Sequence, residues 1–289
     1  MRKAYTLRLK VSRRFTRVCP APTVYSWRNR EDRMDLVMGG LTPLAFWAAV
    51  AVTAFAGLIK GAVGFGMPML MISSFSAFVP PELALAGLIL PTLVTNLSQA
   101  FRQGLTAAWA TARRYHRFLI ATAIFITVSA QFVRLIPQDL FLLLLGLPIT
   151  AFAVLQLLGR NLAIRLEHRD RAEWLLGVIG GLYGGVSGVW GPPLLVYLLS
   201  IGADKTEAIR VQGVVFLLGA VVLCAAHLQS GILNAATLPF SATLALPAVA
   251  GLALGYAVQD RLDHARFRRW TLILLALTGL NLARRAVGL

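Results

Sequence analysis

Charge is scarce in this chain: 14% of its 289 residues are Asp, Glu, Lys or Arg, and only 12 are acidic. A soluble domain of this size carries about 25% charged residues, so an aqueous globule is excluded. Cysteine is almost absent. Cys19 lies in a basic N-terminal stretch and Cys224 inside an apolar run, so no disulfide framework can form. His116, His168, His227 and His264 share no ligand spacing, which argues against a metal site, and no cofactor motif is present. No Asp or Glu stands deep in an apolar run, so the carboxylate that commonly relays protons through a membrane is missing. The first 33 residues lack the apolar core of 7–15 residues that a secretory signal peptide needs.

What the chain has instead is long uncharged apolar runs. Residues 43–59, 61–81, 83–101, 118–133, 140–159 and 174–203 each lack Asp, Glu, Lys and Arg. A further run, 211–259, is interrupted only by His227 and divides at Gln229-Ser230-Gly231, and a last span, with Arg268 and Arg269 at its start, covers about 267–282. Roughly 20 apolar residues span the hydrocarbon core of a bilayer, which predicts about eight crossings and a lipid bilayer as the surrounding medium. The region 43–81 is too long for one simple helix, so a break or a re-entrant turn is expected there.

The net charge of +16 invites a nucleic-acid reading, but its distribution does not support one. Ten Lys or Arg fall in residues 1–33, and most of the rest cluster in the short loops Arg102 to Arg117, Arg160 to Arg171 and Arg261 to Arg269. Cations flanking apolar spans anchor them on the cytoplasmic side, and no nucleic-acid partner is expected. Residues 1–40 read as a basic, disordered cytoplasmic tail, with Met34 as an alternative start. With the tail inside, eight crossings leave Arg261, Arg266, Arg268 and Arg269 outside; a re-entrant hairpin over 174–201 would bring them in.

The chain also repeats itself. Gly57-Leu58-x-x-Gly61-x-x-Gly64-Phe65-Gly66-Met67-Pro68-Met69-Leu70 matches Gly181-Leu182-x-x-Gly185-x-x-Gly188-Val189-Trp190-Gly191-Pro192-Pro193-Leu194-Leu195, with one inserted residue. Glu82 then pairs with Glu207 at an offset of 125, and both read as helix-start carboxylates. Two four-span halves follow, 41–158 and 174–289, joined by a basic cytoplasmic loop at 159–173.

Gly and Pro interrupt a membrane helix at a cost, because a free backbone N–H or C=O is tolerated in hydrocarbon only where it is buried in protein or lines a cavity. Interrupted segments at matching places in two halves point to the central site of a transporter. The N-terminus of a half-helix beyond such a break favours an anion. A different reading applies to Gly57/Gly61, Gly177/Gly181 and Gly251/Gly255, whose i, i+4 spacing commonly means close helix packing.

The two motifs resemble the paired signatures of the sulfite exporter TauE/SafE family, over residues 40–289. The resemblance implies an all-α, polytopic transporter of the bacterial inner membrane, about eight spans in two Gly/Pro-broken halves, moving sulfite, a sulfonate or a related small sulfur-containing anion. A coupling ion, Na+ or H+, is left open by the sequence, as is the oligomeric state. Lys60 before Gly61 and the inserted Trp190 depart from the usual pattern.

The substrate-binding candidates are Lys60, Gly61, Gly64, Gly66 and Pro68 in the first motif and Gly185, Ser187, Gly188, Trp190, Gly191, Pro192 and Pro193 in the second. Asn96 and Gln99, one turn apart, and Arg210 and Gln212 stand on the spans that follow. Lys60 is either a ligand or a residue snorkelling from a helix end, and Arg210 meets either an anion or Glu207. A competing enzyme class, an intramembrane serine protease, would use Ser187 as nucleophile and His227 as base within about 3 Å. It is disfavoured because Val63 replaces Ser187 in the first copy. A non-transporting accessory membrane protein is the third class.

Overall fold

The computed structural model describes residues 36–160, 163, 168–203, 205–258 and 264–288. The basic N-terminal stretch, and with it the expected cytoplasmic tail up to residue 35, lies outside the described residues. Among the described residues every regular element is helical. The eleven helices are α1 Pro43–Val63, α2 Met67–Phe75, α3 Pro81–Ala100, α4 Leu105–Arg114, α5 His116–Ala130, α6 Gln138–Leu157, α7 Arg169–Ser187, α8 Gly191–Ser200, α9 Lys205–Gln229, α10 Leu238–Val258 and α11 His264–Ala286, with a 3₁₀ turn at Val133–Leu135. By length and composition, α1, α3, α6, α10 and the Glu207–Gln229 part of α9 can each cross a membrane.

Their ends follow local rules. Pro43 opens α1, whose cap Thr42 accepts the Ala45 N–H at 3.4 Å. Gly64 closes it at φ +91°, a left-handed conformation that suits glycine. Glu82 and Glu207 both lie in the first turn of their helices, α3 and α9. The outer surface is apolar: Trp47, Ile124, Leu147, Leu246, Leu254 and Leu277 are all exposed. So much exposed hydrocarbon belongs against lipid.

Contacts give each helix its direction. Gly57 faces Ala248 and Leu252, and Gly61 faces Leu252 and Gly255, so α1 runs parallel to α10. Gly177 faces Phe118 and Ala121, and Gly185 faces Ile126 and Ala130, so α7 runs parallel to α5. In contrast, Gly213 meets Gln99 and Ala100 while Asn96 reaches Phe216, which makes α3 and α9 antiparallel. The pair α6 and α11 is antiparallel too, Gly146 lying by Leu282 and Ala283 and Thr150 by Gly279.

The helix order of 43–157 thus recurs over 169–286 with the opposite sense, since matching helices α3/α9 and α6/α11 oppose each other. Each set has a hairpin and three helices that run from end to end. The region 43–81 is broken at Gly64–Gly66, where α2 turns back: Phe75 returns beside Gly87, and Arg285 donates to the Ser76 carbonyl. The second hairpin enters from the other end and also returns, bringing Tyr197 of α8 to Arg169 and Glu173 at the start of α7.

All the described arginine-rich loops gather at one end. Arg102 stacks on Tyr256, Arg114 pairs with Glu207 at 2.8 Å, and Arg117 pairs with Asp170. The short amphipathic α4, with Leu105 and Trp109 exposed beside Arg113 and Arg114, sits at this end as an interfacial helix would. Residues 36–43 and the end of α11 lie at the other end, Gly39 against Phe240 and Arg285 against Ser76.

Interhelical contact is closest at the glycines. A Cβ on Gly57 would stand 2.4 Å from the Ala248 carbonyl oxygen, and one on Gly251 2.0 Å from that of Ala54. Replacing Gly251 by Leu is therefore expected to destabilise the protein by about 1–3 kcal/mol. The exposed Leu246→Ala is expected to stay within about 0.5 kcal/mol of the parent, both read from thermal melts in detergent. In a chain freed of Cys19 and Cys224, Gln103→Cys and Arg160→Cys should label from one face of a vesicle and Val287→Cys from the other; labelling of all three from one face would refute this arrangement.

Candidate functional site

The two hairpin tips meet at a cavity lined by Lys60, Phe65, Gly66, Pro68 and Met69 of the first and Gly188, Val189, Trp190 and Gly191 of the second, with Asn96 of α3 and Phe216 of α9. Its volume of about 30 Å³ is room for about two waters. A second recess, lined by Phe152, Pro192, Leu195 and Gln212, adjoins it through the shared Phe65, Met69, Gly191 and Phe216.

Lys60 dominates the chemistry. Its side chain is 2% exposed, and its ammonium donates to Thr95 Oγ1 at 2.9 Å and to Asn96 Oδ1. Both acceptors are held in turn, because Thr95 donates to the Pro91 carbonyl at 2.7 Å and Asn96 Nδ2 to the Phe216 carbonyl at 2.8 Å. Thr95 and Asn96 are neutral. The ion pairs Arg114–Glu207 and Arg117–Asp170 both lie at the arginine-rich end, away from Lys60. A buried cation without a countercharge costs several kcal/mol, and one of its three donors remains for a ligand. An anion in the cavity would satisfy both demands.

The backbone adds to this asymmetrically. After Gly66, at φ +96°, α2 opens with Met67 and Met69 N–H groups that have no intrahelical partner, Pro68 having none to give. On α8, Pro192 and Pro193 remove two of the donors that such a start would offer, and the Val189 N–H is taken by Ser187 Oγ at 3.1 Å. Donor capacity is therefore concentrated on the first hairpin.

The candidates from the sequence sort by position. Lys60, Gly66, Pro68, Asn96, Gly188, Trp190 and Gly191 line the cavity, and Pro192 and Gln212 line the recess beside it. Gln99 lies next to the first break, its Nε2 donating to the Gly64 carbonyl at 2.9 Å. Gly61 and Gly185 face α10 and α5 instead, a Cβ on Gly61 falling 2.3 Å from the Leu252 carbonyl oxygen and one on Gly185 2.1 Å from Ser129 Oγ. Pro193 packs near Gly180. Arg210 lines neither space; its Nε is buried without a hydrogen bond, and Glu207 pairs with Arg114 and accepts from Tyr115. Phe65, Met69 and Val189 also line the cavity, within the motifs but not singled out there, and Phe216 lines it with no signal in the sequence.

Ser187 and His227 do not engage each other. Ser187 Oγ donates to the Tyr183 carbonyl at 2.7 Å, while His227 Nε2 lies 2.9 Å from the Gly185 carbonyl and its Nδ1 3.1 Å from Ser230 Oγ. The dyad required for the protease reading is not assembled, and that alternative is not favoured. Glu173 is a buried carboxylate that the apolar-run reading passed over because it stands just before residue 174. It accepts from the Phe118 N–H at the start of α5 and from Tyr197.

Oppositely directed, broken hairpins meeting over a buried cation in an apolar helical bundle define a multi-pass membrane protein of the transporter class. A family model described as sulfite exporter TauE/SafE matches residues 49–282, and the chain belongs to that family. No curated protein and no solved structure matches it.

If the Lys60 charge is the anion's partner, sulfite at 100 times its dissociation constant should stabilise the wild-type protein by about 2.7 kcal/mol, seen as a raised melting temperature. Lys60→Met should show no such rise while melting no lower than the ligand-free parent. An equal sulfite-dependent rise in the variant would exclude Lys60 as the contact.

Proposed function

We propose that this chain is a secondary transporter that moves a small anion, sulfite, a sulfonate or a related sulfur compound, across the bacterial inner membrane. The observation that carries the reading is the Lys60 ammonium, buried at the junction of the two hairpins, whose acceptors among the described residues are the neutral oxygens of Thr95 and Asn96. Membership of the TauE/SafE family supports the sulfur-anion class.

The geometry suits alternating access. Each hairpin returns to the end it entered from, so tilting one against the other opens the cavity to either side while Lys60 stays with the anion. Phe65, Met69 and Phe216 stand between the cavity and the recess lined by Gln212 and form the narrow part of a path in that direction. No covalent step is needed, and the positions of Ser187 and His227 support none.

Purified protein in liposomes should take up labelled sulfite, with sulfate and sulfonates as a panel. Lys60→Gln is expected to reduce uptake about tenfold or more, because one charge-assisted contact contributes about 1.5–3 kcal/mol. Imposed Na+ and pH gradients in the same vesicles identify the coupling ion. Wild-type uptake by Lys60→Gln would defeat the proposal.

A further inference from the structure

Trp190 breaks the internal symmetry of the site. The two long hairpin arms end in the same way: the Gly64 N–H donates to the Lys60 carbonyl at 2.7 Å, and the Gly188 N–H to the Gly184 carbonyl at 2.7 Å, each cap glycine being left-handed. Lys60 and Gly184 therefore hold the same station on matching helices, in agreement with the pairing of Gly57 with Gly181 and Gly61 with Gly185. In the first half a side chain leaves this station and crosses from α1 to α3. In the second half the station has no side chain.

The matching space is filled from elsewhere. A Cβ on Gly184 would stand 3.0 Å from Trp190 Cε3, and one on Gly219 would stand 2.6 Å from Trp190 Cε2. The indole is thus wedged between α7 and α9, the counterparts of α1 and α3, and is 3% exposed. It is also the residue inserted relative to the first motif. Where one half bridges its two helices with a cation, the other plugs the equivalent gap with a ring, edge-on to Phe216 with centroids 6.4 Å apart.

We propose that Trp190 sets the size limit of the anion cavity, so that the site takes compact oxyanions and excludes sulfonates with a longer carbon tail. This rests on the reading of Lys60 as the anion's partner. The physical reason is volume. An oxyanion held at Lys60 occupies the roughly two waters' worth of space present, and a tail extending from it must displace protein. Towards the recess it meets Phe65, Met69 and Phe216. Towards α7 and α9, through the space that the repeat would leave open, it meets the indole. Trp190 Nε1 is in addition a buried donor without a hydrogen-bond partner, so bulk and N–H have to be tested separately.

The experiment measures inhibition of labelled sulfite uptake by methanesulfonate, ethanesulfonate and propanesulfonate, in liposomes holding wild type, Trp190→Phe, Trp190→Leu or Trp190→Ala. Wild type is expected to bind propanesulfonate about tenfold or more weakly than methanesulfonate, in line with the discrimination a methylene or two provides in a closed pocket. Trp190→Phe, which keeps most of the bulk and loses the N–H, should retain the limit. Trp190→Leu should move it outward, and Trp190→Ala should abolish it. Equal inhibition across the series by wild type, or an unmoved limit in whichever of the Leu and Ala variants remains monodisperse, overturns the proposal. Lys60→Gln run in parallel separates the two ideas: sulfite uptake that depends on Lys60 alongside a flat inhibition series removes only the role of Trp190, whereas uptake independent of Lys60 removes the anion site itself.

Discussion

A peptide group left without a partner inside a hydrocarbon layer costs several kcal/mol, and the helix ends at the two chain breaks expose such groups deep in the bundle. The structure meets this in parallel ways. Each broken helix is closed by a left-handed glycine, Gly64 or Gly188, that bonds back four residues. Each also receives a side-chain bond from the helix that follows its hairpin, Gln99 to the Gly64 carbonyl and His227 Nε2 at the Gly185 carbonyl. His227 thus has a structural occupation that accounts for its place in an apolar run.

Close packing then carries the tips to a shared position. The glycine faces of α1 and α10, and of α7 and α5, let backbones approach to distances that a methyl group would prevent. Because the first set of helices packs against members of the second, neither hairpin is held by its own half alone. The antiparallel pairs α3/α9 and α6/α11 complete an inverted arrangement in which equivalent breaks arrive from opposite ends. Inverted repeats of this kind recur in secondary transporters, where inward-facing and outward-facing states interconvert by movement of one repeat against the other.

The proposed site lies where the symmetry fails. Lys60 and Trp190 have no counterparts in the opposite half, and they stand in equivalent gaps of the two halves. The first introduces a charge that the bundle does not neutralise, and the second occupies the space in which a matching charge or a larger ligand could have sat. The two prolines at the start of α8 act in the same sense by withholding donors from the second hairpin.

The all-helical membrane class, the breaks in both halves and the packing use of Gly57, Gly61, Gly177, Gly181, Gly251 and Gly255 were legible in the sequence, because they depend on run length, on the conformational demands of Gly and Pro, and on i, i+4 spacing, all of which are local. The return of each hairpin to its own end stood there only as an alternative, a re-entrant turn in 43–81 and a re-entrant hairpin over 174–201, since a break in a helix does not state the angle of the chain beyond it. The gathering of the described arginine loops at one end follows from those returns. Lys60 as a buried cation, Phe216 as a lining residue and Trp190 as the occupant of the Gly184–Gly219 gap were decided by tertiary structure alone. Each depends on which helices lie side by side: Lys60 meets acceptors 35 and 36 residues further on, and Asn96 meets Phe216 120 residues on, where no spacing rule along the chain reaches.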